Sequence, residues 1–186
     1  FWGQLISVIG MWMQSTAQQW LVYRITGSQT SLGMVTFIGF LPVLLLSLFM
    51  GVIADQFPRR KLLLFTQTWF MLLAAVLALI TWLDRVQYWH ILLLAFLLGI
   101  GSALDMPARQ AFVVEMVDGD KGDVMNAISI NSALFNIARI IGPAIAGMVV
   151  AALGEAPAFA INSISYLAVL IALLLMNLPS SEQNPS

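Results

Sequence analysis

What most constrains this chain is where its charges are missing. Seventeen charged residues, 8 basic and 9 acidic, leave residues 1–23, 25–54, 62–83, 86–104 and 156–181 entirely neutral. Residues 124–154 form a further stretch broken only by Arg139. A bilayer core of about 30 Å is crossed by roughly 20 apolar residues rising 1.5 Å each in an α-helix. The pattern therefore predicts six transmembrane helices, at about 1–23, 31–54, 62–83, 86–106, 124–153 and 156–178. Short connections force neighbouring helices antiparallel. Transmembrane β-strands would alternate over about 10 residues, and no segment does so. The expected fold is an all-α integral membrane bundle. Composition agrees: 60% of residues are apolar and 9% charged, against roughly 45–50% and about 25% in soluble domains. Net charge is −1 and cysteine is absent, which excludes a nucleic-acid binder and a disulfide-stapled secreted scaffold; so few charges exclude a cytosolic enzyme.

The first neutral stretch is no signal peptide, because Gln4, Gln14, Gln18 and Gln19 interrupt it and no charged n-region precedes it. The chain reads as beginning inside its first helix. Its polar tail, residues 179–186, reads as the start of a cytoplasmic linker to a second half. Orientation follows from basic residues in short loops. Arg59, Arg60, Lys61, Arg109 and Lys121 lie after the second and fourth spans, against Arg24 and Arg85 on the other side. The 2–3 and 4–5 loops and the tail are thus expected in the cytoplasm of a multi-pass protein of the inner or plasma membrane. Trp82, Tyr88 and Trp89 would anchor the outer 3–4 turn at the interface.

Polar residues inside the spans carry the functional signal. At 100° per residue, Ser129, Ser132, Asn136, Arg139, Pro143 and Gly147 fall on one stripe of the fifth span. Arg139 lies near the midplane, where a charge costs about 2.5–3.5 kcal/mol on insertion scales and faces a bundle interior or wet cavity. It is expected to attract an anionic group of a cargo, or a carboxylate that moves during a transport cycle. A second stripe on the first span holds Gln4, Ser7, Met11, Gln14, Ser15 and Gln18; Asn162, Ser165 and Tyr166 form a weaker third. All three are expected to line one cavity, with Gln14, Gln18, Ser132, Asn136 and Arg139 as its substrate-facing residues, although interhelical glue explains the amides of the first span equally well. Opposite the charged stripe, Ala138, Gly142 and Ala146 make a small-residue row suited to close helix contact, beside a kink expected at Pro143.

The connection after the second span reads Gly51-Val-Ile-Ala54-Asp55-Gln56-Phe-Pro58-Arg59-Arg60-Lys61. It resembles motif A of the major facilitator superfamily, matched at Gly51, Ala54, Asp55, Arg59 and Arg60, with Gln56 and Pro58 in place of the pattern's Arg and Gly. Gly142-Pro143-Ala-Ile-Ala146-Gly147 is similar to the fifth-helix Gly-Pro motif of drug/proton antiporters. The runs 105–112 and 131–139 resemble the enterobactin-exporter branch, which includes macrolide efflux proteins. Where that antiporter pattern has a fourth-helix arginine associated with proton coupling, four residues before Gly99, this chain has Ala95. The resemblance implies the N-terminal half of a twelve-helix transporter whose two six-helix halves enclose the cargo, each half being a 3+3 inverted repeat. It implies a secondary active exporter of a small amphipathic compound, siderophore-like or drug-like, working by alternating access with proton antiport. It further implies that Asp55, Arg59 and Arg60 gate the carrier against second-half helices. Asp105 and Arg109, spaced i,i+4, join that network or form a surface pair.

The 4–5 connection is expected to hold a short interfacial helix beginning near Pro107, then a solvated turn capping the fifth helix through Asp123. Asp118, Asp120 and Asp123 fail the calcium-loop pattern, so no metal or other cofactor is expected. Two rival functions are an intramembrane enzyme, such as a six-helix protease, and a homodimeric half-size carrier. The sole histidine, His90, lies twelve residues from Ser102 on one helix, about 18 Å away, and no other nucleophile–base pair or HExxH motif appears. No enzyme is expected. The expected partners are the lipid bilayer, a small-molecule substrate, protons and the C-terminal six-helix half, with no nucleic acid.

Overall fold

A backbone in lipid has no water to satisfy its polar groups, so runs of Leu, Ile, Val, Ala and Phe close their hydrogen bonds internally as helices. The computed structural model describes residues 2–115 and 121–175. They form six helices and no strand: α1 (Trp2–Thr26), α2 (Gln29–Gln56), α3 (Arg59–Trp82), α4 (Tyr88–Glu115), α5 (Lys121–Leu153) and α6 (Glu155–Leu175). Five are long and apolar enough to cross a membrane; α1 is not, although it has 25 residues. Its glutamines lower its hydropathy, so α1 needs protein neighbours more than the others do.

Turn chemistry sets the helix ends. Gly27, with φ +61°, ends α1, and the Ser28 side chain accepts from the Ser31 N–H at 3.4 Å to cap α2. Phe57 and Pro58 make the extended break before α3. Gly154, with φ +86°, is the sole residue between α5 and α6. Two expectations fail at the α4–α5 connection. No separate helix starts at Pro107: α4 runs through it to Glu115, held across the proline by the Asp105–Arg109 pair, 3.0 Å apart. Residue 123 lies inside α5, which begins at Lys121, so it is not the cap. The expected linker at 179–186 and the residues Asp118 and Asp120 lie outside the described residues.

The packing repeats itself. α1 packs on α5 and α6, α4 packs on α2 and α3, and α3 packs on α6. Exchanging α1 with α4, α2 with α5 and α3 with α6 reproduces the same set of pairs, the relation expected of two inverted three-helix repeats. The core lies among α1, α3, α4 and α6, around Met13, Leu21, Leu77, Ile91 and Phe159. The flanking helices are covered far less: 11% of the α2 span and 17% of the α5 span are buried, against 39–44% for α3, α4 and α6. Leu44, Leu48, Ile140 and Met148 stand open, a surface that lipid or further protein covers and water would not tolerate.

Candidate functional site: an arginine on the open face of α5

Two seams between the repeats close by backbone contact. In the α2–α4 seam, a side chain at Gly99 would collide with the Gly39 carbonyl oxygen and meet the Pro42 ring at 3.1 Å. In the α1–α5 seam, a Cβ at Gly142 would lie 2.5 Å from Trp12 Cβ and 2.9 Å from the Ile9 carbonyl oxygen. Ala138 and Ala146 are fully buried on the same side, so the small-residue row is the face that meets α1. Gly147 faces no packed neighbour within 4 Å among the described residues; it and Gly142 differ in what they do, though both belong to the Gly-Pro motif.

With that row turned inward, the polar stripe turns out. Ser129, Ser132, Asn136 and Arg139 are exposed, and Pro143 is half-buried. Three of these satisfy themselves on their own helix: Ser129 donates to the Met125 carbonyl at 2.8 Å, Ser132 to Ile128 at 2.9 Å and Asn136 to Ser132 at 2.9 Å. Arg139 has no such outlet. It occupies the middle of the Ile128–Leu153 span, and among the described residues it makes no hydrogen bond or ion pair. Its guanidinium carbon lies over the Trp12 ring, 5.5 Å from the centroid, a cation–π contact of about 0.5–2 kcal/mol. The half-buried Trp12 keeps an indole N–H without a partner among the described residues. Trp12 is a site residue that sequence periodicity alone does not single out, because it reads as one more apolar core position.

The other stripes divide differently. Gln14 is buried and its carbonyl accepts from the Asn162 amide at 2.6 Å. Ser7, Ser165 and Tyr166 are buried as well. The third stripe and Gln14 therefore do not line the open face; they knit α1 to α6, where two amides satisfy each other out of lipid. Gln4 donates to Asn131 of α5 at 2.7 Å. Met11 and Ser15 remain exposed and Gln18 half-buried.

The charged groups near the helix ends separate into paired and open. Asp105 is 8% exposed. Its carboxylate accepts from Thr66 at 2.6 Å, Gln67 at 3.0 Å and Arg109 at 3.0 and 3.2 Å. It is a buried tie between α3 and α4 and not a surface pair. At the opposite end of the bundle Arg24 grips Glu155 at 2.8 and 3.2 Å, joining α1 to α6. Arg60 donates to the Leu174 carbonyl at 3.0 Å, near the end of α6. Asp55 is exposed, and no packed neighbour among the described residues lies within 4 Å of a side chain placed at Gly51. No group of His, Asp and Glu among the described residues is arranged to hold a metal.

A model of the transmembrane secretion effector family matches residues 1–184. The chain belongs to the major facilitator superfamily. It is 34% identical over 93% of its length to the staphyloferrin A transporter of Staphylococcus aureus, of which it covers 44%. It is 33% identical over 73% of its length to the multidrug efflux pump Tap of Mycolicibacterium fortuitum, covering 34% of that protein. Macrolide efflux protein A of Streptococcus pyogenes is 25% identical over 78% of the chain, which covers 36% of it. The chain thus spans less than half the length of these curated relatives, and its six helices fit one half of a twelve-helix fold. No solved structure matches it. These relatives are named as transporters and efflux pumps, none as an enzyme, and this chain shares with a multi-pass membrane protein several helices long and apolar enough to cross a bilayer.

Proposed function

We propose that the chain forms one wall of an exporter that moves a small amphipathic compound, siderophore-like or drug-like, by alternating access against a second six-helix half. The observation that carries this reading is Arg139: mid-span, exposed, without an acidic partner among the described residues, beside Asn136 and Ser132. Lipid would make that placement costly, whereas a watered passage between two halves would not. Ser132, Asn136 and Arg139 line the passage on α5, and Gln18 and Ser15 on α1. Asp55 and Gly51, open in this chain, meet the second half and gate it together with Arg59, while Arg60 secures the end of α6. The α2–α3 and α4–α5 connections face the cytoplasm, on the basic-residue bias.

Proton antiport supplies the drive. The test uses the intact gene product in inverted membrane vesicles carrying an imposed pH gradient. Gradient-dependent uptake of a siderophore or amphipathic dye, abolished by an uncoupler, is the expected result. Absence of uptake for every compound offered overturns the exporter reading, and uptake indifferent to the uncoupler overturns antiport alone.

A further inference from the structure

We infer that Arg139 and Trp12 together form a recognition site for a carboxylate on the cargo, an inference that rests on the passage proposed above. A guanidinium carries five N–H donors in a planar fork that a carboxylate matches with two parallel hydrogen bonds. Over the Trp12 ring at 5.5 Å, Arg139 is steadied by the aromatic quadrupole, while no described residue accepts from its N–H groups. Nor is its charge neutralised by an acidic side chain among the described residues. Glu155 is committed to Arg24 and Asp105 to Arg109, and Asp55 and Asp84 sit at helix ends and connections, away from mid-span.

Trp12 is itself held. The absence of a side chain at Gly142 brings the α5 backbone against Trp12 Cβ, the Ile9 carbonyl and the Met13 N–H. The ring under the arginine is thus carried on a tightly packed stretch of α1, which lowers the ordering cost of binding. Together they offer an aromatic surface joined to a two-pronged cation, the complement of an amphipathic molecule bearing a carboxylate. The fold does not need the charge. The α2–α4 seam, related by the exchange of repeats, closes just as tightly around Gly99, Gly39 and Pro42 with no charged residue between 29 and 54.

Vesicles bearing the intact gene product are offered pyrenebutyrate and, separately, its methyl ester. The expected result is an acid transported about tenfold faster than the ester, the worth of one charge-assisted pair. Arg139→Gln brings the acid-over-ester ratio down to about one, whatever it does to the absolute rates; Trp12→Phe, which keeps a weaker ring, lowers the ratio less. Equal wild-type rates, or an acid preference that survives Arg139→Gln, overturn the inference while ester transport leaves the exporter standing. If neither compound moves, the exporter reading itself fails for this cargo class, and the site with it. Should Arg139→Gln not reach the membrane, Arg139→Lys replaces it. Lysine keeps the charge and loses the fork, and an undiminished acid preference in that variant overturns the inference.

Discussion

The α1–α5 and α2–α4 seams are built alike and differ in one respect. Both bring a helix backbone onto its neighbour at a glycine, and both include a proline-bearing flanking helix, Pro143 in α5 and Pro42 in α2. The α2–α4 seam has no charged residue where its backbones meet. Ala95, where the antiporter pattern has its arginine, is buried there beside Gly39. The α1–α5 seam carries a cation on its open edge. The difference teaches that packing and charge are separable demands: the small residues belong to the fold, and Arg139 is an addition the fold tolerates.

The comparison can be broken at its strongest point first. Gly99→Ala pushes a methyl into the Gly39 carbonyl, which cannot yield, and we expect about 3 kcal/mol of lost stability, read as a fall in melting temperature or as failure to accumulate. Gly142→Ala meets Trp12 Cβ and the Ile9 carbonyl at slightly longer range; a loss of about 1–3 kcal/mol is expected, together with a drop in acid-over-ester selectivity as Trp12 shifts. If Gly142→Ala costs stability but spares selectivity, the seam and the cation are independent.

Arg24→Ala leaves the buried Glu155 carboxylate without its partner, so a loss of about 1–3 kcal/mol is expected, whereas Glu155→Gln, which removes the buried charge as well, costs less. Asn162→Ala removes the donor to Gln14, and the cost is about 0.6 kcal/mol, up to about 1.7, all three measured by melting in detergent. Arg139→Leu has the smallest effect on stability and the sharpest meaning: its melting temperature holds or rises while acid transport collapses. A clear fall in melting temperature would show that the cation belongs to the fold after all.

The bundle was legible in the sequence because the constraint is severe. A lipid-crossing helix rarely carries a charge, so the gaps between Arg24, Asp55, Asp84 and Asp105 mark the spans directly. Which way a polar face turns was only partly legible. Ser7 and Gln14 share a stripe with Met11 and Ser15, but that stripe straddles the boundary between α6 and the open side, and only the packing of three helices decides where the boundary falls. Asp105 shows the same limit. An i,i+4 pair reads identically on a surface or in a core, and its burial is set by Thr66 and Gln67 on another helix. Pro107 signalled a helix start by local preference, and α4 continues through it because neighbouring contacts outweigh one missing backbone donor. Arg139 was found by charge alone; Trp12 was not, since nothing local links the two residues.

One small feature limits how this wall is able to move. With a lone Gly154 joining α5 to α6, and Glu155 fastened to Arg24 just beyond it, that end of α5 has no slack for a piston stroke. What remains is swivelling about a pinned joint, so a slight tilt is magnified along roughly 50 Å of helix, and the far tip travels most.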